Sequence, residues 1–184
     1  MRIEPIDCSA ALCHHWLVRR RGGEKVLDAI AELLPAAPVY TLVFNPTGFL
    51  NGQPSALDQA ALDEFFDAES LVLGGRRRRI ITSWLQSLPG VARYYPQLLP
   101  LLPSAARRMR LPPVELIVCS DAAMAKSMTF DESSRVVCYC HSPMRYVWDD
   151  AISAQYAKTL LPLLRPLWPG LCAWIRRSDA LAAE

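Results

Sequence analysis

The chain of 184 residues is long enough for one ordinary domain with a real hydrophobic core. With 52% hydrophobic residues, 21% charged residues and a net charge of +2, its composition excludes a disordered chain and argues against a dedicated nucleic-acid binder. The basic residues are nonetheless clustered, at Arg19–Arg21, Arg76–Arg79, Arg107-Arg108-Arg110 and Arg176-Arg177. Such patches suit phosphates, an anionic membrane surface or a substrate, and each also reads as solvated loop or helix-end charge.

The opening, Met1 to Asp7, mixes charges with a proline and does not read as a secretory leader. The six cysteines are therefore expected to be reduced core residues of a cytoplasmic protein. Residues 9 to 14 are small and apolar and predict a buried strand. A basic turn carrying Gly22-Gly23 follows, then a helix with Val26, Leu27, Ile30 and Leu34 on one face. Paired glycines let a ligand approach the backbone where the helix begins. Its free N–H groups and positive dipole end favour an anion, so this turn reads either as a phosphate or sugar-phosphate site or as a tight strand-to-helix turn.

Val39 to Phe44, β-branched and aromatic, predicts a second strand. Asn45 to Ser55 reads as a loop and Ala56 to Ala68 as a short acidic helix. Leu71-Val72-Leu73 runs into Gly74-Gly75 and four arginines, and Ile80-Ile81-Thr82 reads as a further short strand. From Ser83 to Pro103, apolar and aromatic residues are interleaved with prolines that break the stretch into short helical pieces. It either packs over the core or turns an apolar face to lipid.

Val114 to Ser120 and Arg135 to Cys140 predict two more buried strands. Cys138-x-Cys140-His141 has the look of a metal fragment, but alternation puts both cysteines on one face and no second pair matches them, so no metal site is expected. Leu160 to Ile175 is apolar but short for a bilayer and interrupted by three prolines and Arg165. Strands alternating with helices indicate an α/β, doubly wound, mostly parallel sheet. In such sheets ligands bind beyond the carboxyl ends of the strands, which here carry His14-His15, Asn45, Ser120-Asp121 and His141-Ser142.

Several of these stretches, in this order, resemble the amino-terminal half of bacterial family-4 glycosyltransferases. They are His15-Trp16-Leu17, Arg21-Gly22-Gly23-Glu24-Lys25-Val26-Leu27, Tyr40-Thr41-Leu42-Val43, Ile81-Thr82-Ser83-Trp84-Leu85-Gln86 with Leu88-Pro89-Gly90, and Tyr95-Pro96-Gln97-Leu98-Leu99-Pro100. Cys119 to Lys126 and Cys138 to Tyr146 continue the likeness, which covers roughly residues 9 to 178. The resemblance implies a Rossmann-like domain equivalent to the acceptor-side half of a GT-B enzyme. It further implies retaining transfer from a nucleotide-sugar co-substrate to a glycan, often lipid-linked, with no other cofactor. By that likeness Gly22 and Gly23, with Glu24 beside them, face the donor diphosphate, and His141 sits beside the reacting sugar. Lys126, Arg145 and Trp148 are further cleft residues.

Residues 1–184 are accordingly expected to form a single domain that stops before its last strand. The family's donor-binding domain, with its nucleotide pocket, has no counterpart here. His15 stands where the family commonly has an aspartate. Activity then requires a donor domain elsewhere, on a partner chain or in a lost downstream reading frame, and the arginine clusters allow peripheral contact with the inner membrane face. The alternatives are a non-catalytic remnant or a membrane or partner interaction module, and an unrelated α/β nucleotide-binding domain.

Overall fold

The computed structural model describes residues 4–50, 70–160 and 162–183. The acidic helix expected over Ala56 to Ala68 lies outside them. Six strands form one sheet: β1 (Ala10–His14), β2 (Val39–Thr41), β3 (Ser70–Leu73), β4 (Arg76–Thr82), β5 (Leu116–Asp121) and β6 (Arg135–Cys140). Their order is β3-β4-β2-β1-β5-β6. All pairings are parallel except β3 with β4. The order reverses between β2-β1 on one side and β1-β5 on the other, which is the switch point of a Rossmann-like sheet.

The helices are α1 (Gly22–Leu33), α2 (Pro46–Leu50), α3 (Val91–Tyr94), α4 (Leu102–Arg108), α5 (Arg145–Trp148), α6 (Asp150–Thr159) and α7 (Trp168–Leu181), with short 3-10 segments between several of them. The central strand β1 shows why the sheet is doubly wound. Ala10 and Leu12 point into one core with Leu27 and Ala31 of α1. Ala11 and Cys13 point into the other with Leu102 and Ala105 of α4 and Ile175 of α7. Alternation along a strand covered on both faces explains why residues 9 to 14 read as continuously apolar.

The stretch from Ser83 to Pro103 forms short helical pieces as expected, with Pro89 between two of them and Pro96 and Pro103 at the starts of others, while Pro100 lies inside a 3-10 segment. Leu85, Val91, Leu99 and Leu102 are buried in the second core, so it packs, while Trp84 and Leu101 stay exposed. The loop expected from Asn45 begins instead with α2: Pro46 opens the helix, where its missing N–H costs nothing, and Phe49 N–H donates to the Asn45 carbonyl.

The four-arginine run lies within β4, so the strand starts four residues earlier than Ile80. Gly74 and Gly75, at φ +58° and +69°, form the two-residue hairpin turn that joins it to β3. Gly74 is pressed against α1, since a Cβ there would lie 2.5 Å from the Glu32 nitrogen. Arg78, facing inward with Ile80, is 3% exposed. Its guanidinium donates to the carbonyls of Leu73, Leu34, Ala37 and Ala31, capping the carboxyl end of α1. One member of this run is thus a buried clamp, and the other three are exposed.

The expectation that β6 is buried is overturned: all six residues are exposed. The strand pairs only with β5, and among the described residues nothing pairs with its outer edge. For the same reason Cys138 and Cys140 are exposed and are not core residues, whereas Cys13, Cys119 and Cys172 are buried; these cysteines are all free. Among the described residues no helix is long and apolar enough to cross a membrane.

Candidate functional site

The carboxyl ends of β1, β5 and β6 converge at the switch point on the first turn of α1. His14 ends β1 and is fully buried. Its Nδ1 donates to the Ser120 carbonyl at 2.7 Å, which turns Nε2 toward Glu24 Oε1 at 3.8 Å. Glu24, 4% exposed, accepts the Arg21 N–H at 2.9 Å through its other oxygen. Burial pushes the Glu24 carboxyl up, but the neighbouring His14 ring and the N–H groups around the carboxylate outweigh it and hold the pKa below its ordinary value.

His15 stacks on His14 with ring centroids 4.2 Å apart. Its Nδ1 is buried without a hydrogen-bond partner among the described residues and lies 3.9 Å from Asp121 Oδ1. Burial, followed by the proximity of the His14 and His141 rings, drives its pKa well below the ordinary value. Asp121 is otherwise engaged, accepting from the N–H groups of Ala123 and Ala125 at 2.9 and 3.0 Å.

His141 follows β6 and is the half-exposed member of the group. Its backbone N–H donates to the Asp121 carbonyl, and its Nε2 meets Ser120 Oγ at 2.8 Å. Ser120 is fully buried beneath the imidazole, so the pair positions His141 and does not present a serine nucleophile to substrate. Burial and the neighbouring His14 ring lower the His141 pKa, leaving a neutral ring that can donate or accept.

Above these groups opens a cavity of about 420 Å³. Gly22, Gly23 and Glu24 form one wall, His141 and Ser142 a second, and Arg21 and Arg145 supply cations. Trp16 and Tyr146 add aromatic surface. Gly22 has open space where a Cβ would be, and a Cβ on Gly23 would meet His141 Nε2 at 3.6 Å. Arg21 occupies the N-cap position, and a guanidinium carries no acceptor, so the first N–H groups of α1 lack a side-chain cap. Such a helix start beside two arginines suits an anion, and the histidine side suits hydroxyl groups.

The structure thus brings together Gly22, Gly23, Glu24, His141 and Arg145 in one cavity. Lys126 and Trp148 are elsewhere. Both hold Asp179 of α7: the Lys126 ammonium pairs with it and with Asp121, and Trp148 Nε1 donates to it at 2.8 Å. These two line a separate cavity against β6. Burial lowers the Lys126 pKa, but bonding to Asp179 and Asp121 carries it above its ordinary value, so it stays a cation fixed between two carboxylates.

Sequence reasoning singled out neither Ser142 nor Tyr146 individually, nor the positioning role of Ser120; the strand-end rule pointed to Ser120 and Ser142, while Tyr146 is brought in only by the loop after β6. Among the described residues, no three of the histidine, cysteine and carboxylate side chains are arranged to hold a metal ion. No family model, no curated protein and no solved structure matches this chain.

Proposed function

We propose that this chain is the acceptor-side domain of a retaining glycosyltransferase that moves a sugar from a nucleotide-sugar to a glycan acceptor, lipid-linked acceptors included. Catalysis requires a donor-binding domain in addition to this one, and the work is done at the cytoplasmic face of the inner membrane. The observation that carries this reading is the single cavity that gathers Gly22, Gly23, Glu24, His141 and Arg145 at the strand ends. In it the start of α1 and Arg21 meet donor phosphate. His141, neutral and oriented by Ser120, hydrogen-bonds a sugar hydroxyl. No side chain of the cavity is assigned as a nucleophile.

The test is a thermal-shift titration of the chain with nucleotide-sugars, nucleoside diphosphates and lipid-linked sugar mimics. A ligand at one hundred times its Kd adds about 2.7 kcal/mol, or roughly 5–10 °C in a domain of this size. Gly23→Leu, which fills the space before His141, abolishes the shift if the reading is right. No shift with any ligand removes it.

A second reading, an interaction module without catalysis, draws on the six exposed residues of β6 at the sheet edge. It requires partner or membrane binding that survives both Gly23→Leu and His141→Ala.

A further inference from the structure

A second cavity, of about 680 Å³, opens on the other side of the β1–α1 connection. Arg19, Arg20 and Arg21 line it from that connection, Asn45 and Gly48 from the start of α2, and Arg93 from α3. Among the described residues no carboxylate lines it. Arg20 is paired with Asp28, but among the described residues Arg19, Arg21 and Arg93 have no carboxylate partner. Three guanidinium groups lining one cavity, with no carboxylate among its described lining residues, raise the local positive potential, and each offers a planar fork of donors matched to a phosphate.

The walls are built closely. A Cβ on Gly48 would lie 2.5 Å from both Asn45 Nδ2 and the Val18 carbonyl, so backbone comes right up to the chain beneath it. Gly90 adopts φ +70°, the left-handed turn that starts α3 and sets Arg93 on the rim.

We propose that this cavity binds a phosphate-bearing ligand, at a site separate from the strand-end cavity and sharing with it, among the described residues, only Arg21. The volume exceeds what one phosphate fills and admits a diphosphate or a phosphate with its organic group. The inference needs only charge and shape, and it stands whether or not the chain takes part in sugar transfer. The phosphate comes either from a soluble ligand or from a lipid headgroup.

The experiment has two arms, each run on the full chain and on four variants that keep the fold because the changed arginines are exposed. Calorimetric titration uses inorganic pyrophosphate at low salt. Co-sedimentation uses vesicles of phosphatidylglycerol with phosphatidylcholine, against phosphatidylcholine alone. Arg19→Ala and Arg93→Ala each weaken binding about tenfold, their combination more, and Arg135→Ala on the far edge strand leaves it unchanged. Pyrophosphate binding with this pattern supports the site with a soluble ligand. Retention on anionic vesicles alone, with the same pattern, supports it with a headgroup. Absence of binding in both arms, or binding that the Arg19→Ala/Arg93→Ala combination does not weaken, overturns the proposal.

Discussion

The two ends of α1 carry two buried polar clusters of opposite character. At the carboxyl end, the Arg78 guanidinium reaches four backbone carbonyls, and the Gly74 N–H donates to Asp28 at 2.7 Å. Every donor there has an acceptor, and the last turn of the helix is closed. At the amino end, among the described residues, His14 Nε2 and His15 Nδ1 are buried without a hydrogen-bond partner, and the N-cap Arg21 side chain offers the first turn no acceptor. Buried polar groups left unmatched are costly, and a domain retains them where something else requires them. One end of this helix is a clamp and the other is the candidate site.

The sharpest way to break this contrast is Arg78→Met. It strands buried carbonyls that water cannot reach and should cost about 3–4 kcal/mol in urea denaturation, against no more than about 0.5 for Arg79→Ala on the exposed face. Equal losses would make the clamp no different from the rest of the run. Gly74→Ala should cost about 2–3 kcal/mol, because it combines a left-handed φ with backbone contact at 2.5 Å. Gly75→Ala, equally left-handed but with open space around it, should cost about 1 kcal/mol.

At the amino end the readout is pH. His15 is held neutral in the fold, with its pKa well below the 6.5 of a free imidazole. Below pH 6.5 the unfolded chain takes up a proton that the folded chain refuses, so stability falls as pH falls, by at most about 1.4 kcal/mol per pH unit for this group. His15→Asn should flatten that decline, and an unchanged profile would remove His15 as its source. The smallest effect concerns Gly23→Ala. Its methyl meets only ordinary contacts of 3.6 to 3.8 Å, and alanine suits a helix, so stability should rise by about 0.5 kcal/mol. A loss of more than about 1 kcal/mol, the usual scale of a glycine-to-alanine exchange in a helix, would show that the space before His141 is structural.

The amino end of α1 is legible in the sequence because its signals are local. Gly22-Gly23 before a helical pattern, and polar residues closing apolar runs, are enough to put Gly23 and His141 in one region. The clamp is not legible. Arg78 is one of four identical neighbours, and only the extension of β4 through the arginines puts it on the inward face with Ile80. The exposure of β6 is hidden for a different reason. Val136, Val137 and Tyr139 satisfy every local preference of a buried strand, but burial depends on what lies alongside, which strand composition does not encode. Lys126 illustrates a third gap, since its tether is Asp179, 53 residues away.

The register of the two central strands has a consequence for how the molecule forms. His14 lies opposite Ser120, 106 residues further along the chain. The contact that creates the switch point therefore closes one of the longest loops available to this chain. Parallel pairings of such separation set the rate of folding, typically in the millisecond-to-second range, because the entropy of closure precedes its reward. The β1–α1–β2 unit can assemble early from near neighbours, but Ser120, His141 and Arg145 join the Gly22-Gly23 turn only when this last seam shuts. A chain in which this seam is open lacks the β5 and β6 side of the cavity, so any ligand that needs both sides would report the closed seam.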